Sequence, residues 1–272
     1  MKNILPTLIK REFRENRSLW IAPLATAGVL LLLSIVGAAY AGTHFDYRWP
    51  VRGGAGGFSP LGASAMAKGM VGFATQLFFI SSITCGFYLL DCLYAERKDR
   101  SILFWKSLPV SDLQTVASKF LVAMAVVPLA VFALATVLYP VLYGIAALGI
   151  PDFTAITGGW NFAAWLRAEV AMFVSMVVTL LWYAPLAAWS MLASVFSRRS
   201  PIMVSLLPVV ILGIVEGIVF RSSHVWKYLF YRLMPIVDPA QGIARPGLWI
   251  GLAVAAGMLY IVVRLRRYRD DT

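Results

Sequence analysis

Charge is scarce in this chain. Asp, Glu, Lys and Arg make up 14% of its 272 residues and hydrophobic residues 60%, with a mean hydropathy of +0.77. A soluble globular domain has about 25% charge and about 45–50% apolar residues. A water-soluble fold is therefore excluded, and a polytopic, all-α membrane protein is expected. Acids are scarcer still, 13 against 24 Lys and Arg, for a net charge of +11. In a soluble protein such a surplus points to nucleic acid. Here the bases cluster beside apolar runs, as the positive-inside rule requires, so no nucleic-acid partner is expected.

Histidine and cysteine are almost missing. His44 and His224 fall in different segments outside the apolar runs, and no H-E-x-x-H or paired-cysteine spacing exists. That excludes an intramembrane zinc protease. A serine protease of the bilayer needs a histidine among the spans to activate its serine, and neither histidine is there. Cys85 and Cys92 are seven apart. In one helix that is roughly 10 Å at 1.5 Å per residue, too far for a bridge between the two, which leaves a pair of small buried hydrophobes or a bridge between two copies of the chain. The chain also lacks G-x-x-x-x-G-K-[ST]; the glycine run at 53–57 has no Lys-Ser/Thr end and reads as flexible loop. If ATP drives this protein, a partner binds the nucleotide. The chain itself is expected to be no enzyme and to hold no metal or cofactor. No secretory signal is expected, because the first apolar run is too long for one.

What is present is six long apolar runs, at about 19–41, 69–93, 115–138, 167–195, 201–220 and 247–263. Each is long enough to cross about 30 Å of hydrocarbon. The third can extend past Pro140 to 148, kinked at Pro128 and Pro140. Sixteen of the 24 basic residues fall in the N-terminus, the stretch 94–119, the segment after run four, and the tail. Both termini are thereby expected in the cytoplasm. Residues 1–18 read as an amphipathic interfacial helix, with Leu5, Leu8, Ile9 and Phe13 on one face. Residues 221–246 read as an outer interfacial or re-entrant helix rich in rings, started by Ser222 or Ser223 and stopped near Pro235.

The segment 94–112 is the one long charged stretch between apolar runs. Glu96, Arg97, Lys98, Asp99 and Arg100 form a mixed-sign cluster. Ile102, Leu103, Phe104, Trp105 and Leu108 form an apolar patch closed by Pro109, and Ser111 with Gln114 spells a capping box. The patch is expected to be a short cytoplasmic coupling helix between spans two and three, which either rests on lipid, with Trp105 at headgroup level, or docks another protein.

The stretch ERKDRSILFWKSLPVSDLQTVASK resembles the cytoplasmic coupling loop of bacterial ABC-2-type transporter permeases, and IKREFRENRSLWIAPL resembles that family's entry into its first span. The resemblance implies one transmembrane domain over 1–272, a permease in the bacterial inner membrane, and export of an amphipathic molecule, peptide or lipid. It implies a homodimeric permease pair with two separate ATPase chains that bind ATP and Mg. Docking to the ATPase would then fall to Glu96, Arg97, Asp99, Arg100, Ile102, Leu103, Phe104 and Trp105, with Arg11 and Arg14 on the N-terminal helix.

Two carboxylates lie within apolar runs, Asp91 and Glu216, and such residues default to functional hypotheses. The ordinary reading pairs Asp91 with Arg97 or Lys98, and makes Glu216 a partner of Arg221 or a neutral acid; the other reading is translocation or gating. Trp182 and Trp189 share a helix face and either line an adaptable cavity or pack helices. Two other function classes compete with the exporter: a membrane anchor that recruits a soluble enzyme, and an ion-coupled carrier using Asp91 or Glu216.

Overall fold

The computed structural model describes residues 5–44, 62–99, 110–150, 153–154, 159–236 and 238–268. Helices account for nearly all of them, and no strand occurs among the described residues. In chain order they are α1 (Leu5–Glu15), α2 (Ser18–His44), α3 (Gly62–Lys98), α4 (Asp112–Gly149), α5 (Phe162–Phe196), α6 (Pro201–Phe220), α7 (His224–Leu233), α8 (Pro239–Ala244) and α9 (Pro246–Tyr268). Six of these, α2 to α6 and α9, are long and apolar enough to cross a membrane. The chain is a multi-pass membrane protein, with its spans where the hydropathy put them.

Local chemistry explains the interruptions. Pro128 has no N–H to offer the carbonyl four residues back. The turn before it, Val122–Val126, widens into a π-helix, in which Val127 N–H bonds to Val122 O. Helix α4 then runs on through Pro140 to Gly149, the longer of the two expected ends. A second π-turn, Glu216–Phe220, ends α6, and Arg221 leaves it in the left-handed conformation at φ +49°. Both halves of the capping box form at the start of α4: Ser111 Oγ accepts from Gln114 N–H, and the Gln114 side chain accepts from Ser111 N–H.

The chain divides into two compact units. The first comprises Met1–Leu19, Ser82–Pro128 and Val174–Thr272. In it α1 packs on the first turns of α4, which in turn pack on α9. Small residues let α5 and α9 approach closely: Ala184, Ala188 and Ala255 form a buried cluster flanked by Phe120, Met124 and Leu252. Cys85 and Cys92 are buried free thiols. The second unit comprises Trp20–Ser81 and Leu129–Phe173. Its α4 and α5 segments meet through rings: Phe132 on Phe173 at 5.3 Å, and Tyr143 on Trp160 at 5.1 Å. Between these contacts the buried Glu169 takes a 2.9 Å hydrogen bond from Thr136 Oγ1.

Candidate functional site

The first unit holds a cluster of buried charge at the end where α3 stops and α4 starts. Lys119, about two turns into α4, places Nζ 2.8 Å from Glu12 Oε1 and 3.1 Å from Glu96 Oε1. Arg266, near the end of α9, places Nη1 2.6 Å from Glu96 Oε2 and Nε 3.1 Å from Asp112 Oδ1. Tyr88 on α3 donates its hydroxyl to Glu12 Oε2 at 2.9 Å. Glu12, Lys119, Arg266 and Glu96 are only 2, 3, 5 and 7% exposed. Four helices that are distant in sequence are thus joined by one continuous chain of ion pairs. The carboxylates outnumber the cations by one. The surplus charge sits on Asp112, in the first turn of α4, where the helix dipole favours an anion.

A fifth helix joins at the same end. Arg97 donates Nη2 to Ser194 O at 2.6 Å and to Ser197 O at 2.8 Å, closing the C-terminal carbonyls of α5. Ser194 Oγ receives the N–H groups of Leu93 and Tyr94, and the Tyr94 hydroxyl reaches Arg199 O. Beside the cluster lies an open cleft of about 530 Å³, lined by Val110, Asp112, Leu113, Thr115, Val263 and Arg267 among others. Leu113 stands 63% exposed at its wall. An ionic knot of this kind can bear load between helices.

The residues singled out in the sequence part company here. Glu96 and Arg97, expected on a docking surface, are instead drawn inward: α3 continues to Lys98 and carries Glu96 to the buried cations of α4 and α9. Asp99 is exposed at the helix end. Arg100, Ile102, Leu103, Phe104 and Trp105 lie outside the described residues. Arg11 pairs with Glu15 one turn on, and Arg14 is exposed. Asp91 is exposed and has no ion-pair partner among the described residues, so the expected pairing with Arg97 or Lys98 does not form.

Glu216 is neither paired with Arg221 nor isolated. The chain reverses after Arg221 and brings the first turn of α7 back onto it. Its carboxylate accepts from His224 N–H at 2.6 Å, Val225 N–H at 2.7 Å and the Ser222 hydroxyl. It therefore caps α7, a role the sequence assigned to Ser222 or Ser223; Ser223 makes no side-chain cap bond. Trp182 is buried with Val178, Ile236 and Leu248 on one side and meets the Arg232 guanidinium on its ring, and Trp189 donates to Ser205 O at 3.2 Å.

Sequence reasoning passed over Glu12, Lys119 and Arg266. Each looks like one more member of a basic or mixed flank, and only the meeting of the helices sets them apart. The available signal was an acid at position 12 on the apolar side of α1, four residues after Leu8. Among the described residues no group of three or more His, Cys, Asp or Glu is placed to hold a metal. No protein-family model, no curated protein and no solved structure matches the chain.

Proposed function

We propose that this chain is the permease subunit of an ATP-binding cassette exporter, set in the inner membrane of a bacterium with both termini in the cytoplasm. Two copies would work with two separate ATPase chains that bind ATP and Mg and dock on the segment 94–112. The cargo class is a small amphipathic molecule, peptide or lipid. The observation that carries this reading is the buried ion-pair chain, together with the two stretches that resemble ABC-2-type permeases. An ATPase pushing on a loop moves the spans only if the loop's flanking helices are tied to the rest. Glu96 at the loop's entrance and Asp112 at its exit both bond Arg266, and Glu96 shares Lys119 with Glu12 of α1. A push on the loop is thereby shared by α1, α3, α4 and α9. The cleft in which Leu113 stands exposed lies at the loop's exit, within reach of such a partner.

Co-expression with the ATPase encoded beside it provides the test. The two chains should copurify, and Ile102→Asp with Phe104→Asp should abolish copurification while leaving the permease folded. Retention of the ATPase by the doubly substituted chain would refute docking on this loop. A stable complex that moves nothing in vesicles would favour the membrane anchor.

A further inference from the structure

Arg232, on α7, is buried to 2% exposure, and no acid pairs with it among the described residues. Its guanidinium lies over the Trp182 ring, with Cζ 3.8 Å from the centroid. Nη1 donates to Gly247 O at 3.0 Å, while Nη2 is buried with no acceptor. The indole Nε1 of Trp182 is a second buried donor without an acceptor. Tyr231 packs edge-on against Trp182 at 5.4 Å, and a second guanidinium, Arg245, lies 5.5 Å over the Tyr231 ring. The site is built to receive Arg232. Gly251 leaves the room it occupies, since a Cβ there would collide with Nη2.

Stacking on rings offsets part of the cost of burying a guanidinium, but rings supply no counter-charge and no hydrogen-bond acceptor. Burial lowers the pKa of Arg232 from its ordinary value, yet arginine does not deprotonate in proteins. The nearest acid in sequence, Asp238, is committed to the N–H groups of Ala240 and Gln241. Arg232 and Arg245 lie over the two rings of one aromatic pair, Arg232 Nη2 and Trp182 Nε1 are buried without acceptors, and the missing component is an acceptor that carries negative charge. We infer that Arg232, Trp182 and Arg245 form a binding site for an oxyanion, a phosphate or carboxylate, which the arginine fork and the indole N–H hold together. Tyr228, Phe230, Leu233 and Met234 expose apolar surface on and just after α7. That surface suits an oxyanion carried on an apolar tail, as in an anionic lipid headgroup. The site stands apart from the transport reading, and its test contains no ATPase.

The purified chain in neutral detergent is titrated with phosphatidylglycerol, with phosphatidylcholine and with inorganic phosphate, and its melting temperature is followed. Phosphatidylglycerol is expected to raise it by about 5 °C near saturation, and phosphatidylcholine to leave it unchanged. Arg232→Gln and Gly251→Ala should each lose most of the rise, the second without removing a charge; Arg245→Gln should lose part of it. A comparable rise with inorganic phosphate would support the site and assign it a soluble anion. The inference is overturned if all three variants respond like the wild type, as they would if general attraction to a basic protein were the cause. It is equally overturned if phosphatidylcholine matches phosphatidylglycerol, or if neither anion shifts the melting temperature. If Arg232→Gln fails to fold, Gly251→Ala and Arg245→Gln carry the comparison.

Discussion

Lys119 is the residue on which the ion-pair chain turns, because it bonds both Glu12 and Glu96. Removing one partner of a buried pair costs about 3–5 kcal/mol, mostly through the charge left behind. Lys119→Met should lower stability by about that amount in thermal or denaturant unfolding of the detergent-solubilised chain. Adding Glu12→Gln relieves one stranded carboxylate, so the double variant should be less damaged than the two single losses together, by about 1 kcal/mol or more. Strict additivity would mean that the contact between Lys119 and Glu12 bears no load. None of this was legible beforehand: Glu12 and Lys119 are 107 positions apart and Glu96 and Arg266 are 170 apart, with no local period connecting them. The capping box of α4 was legible because Ser111 and Gln114 are three apart and bond each other within one turn.

Helix α7 depends on its neighbour α6. It is ten residues long, too short to persist alone in water, and its first turn rests on Glu216 of α6. Gly213 of α6 leaves space for Trp226, since a Cβ there would come within 2.6 Å of the indole Nε1. Two substitutions should therefore release α7 by separate routes, Glu216→Ala through its cap and Gly213→Val through its packing. Amide exchange at His224 to Leu233 should rise in both, with exchange in α9 unchanged. No change in α7 exchange for Glu216→Ala would show that the cap is dispensable. The helix itself could be read from its rings and from Pro235. Its cap could not, because the acceptor lies eight residues before the donor, inside what reads as an unbroken apolar span.

For the molecule as a whole, hydropathy sufficed to find the spans, because a run of some twenty apolar residues has few alternatives to a membrane helix. Which side each loop faces is a matter of the basic residues, and it can be measured. In a chain with Cys85→Ala and Cys92→Ala, cysteines at Asp99 and Arg199 should react with a membrane-impermeant reagent from one face only. Cysteines at Asn161 and His224 should react from the other. Labelling of all four from one face would break the six-span order. The account's central claim is that a separate motor works the ion-paired end of the first unit, and ATP turnover by the reconstituted pair tests it most directly. Adding the wild-type chain should stimulate its ATPase. Ile102→Asp with Phe104→Asp should abolish the stimulation, and Lys119→Met should weaken it although the complex still assembles. Turnover that is the same with the wild-type chain, with either variant and with no permease at all would contradict the claim.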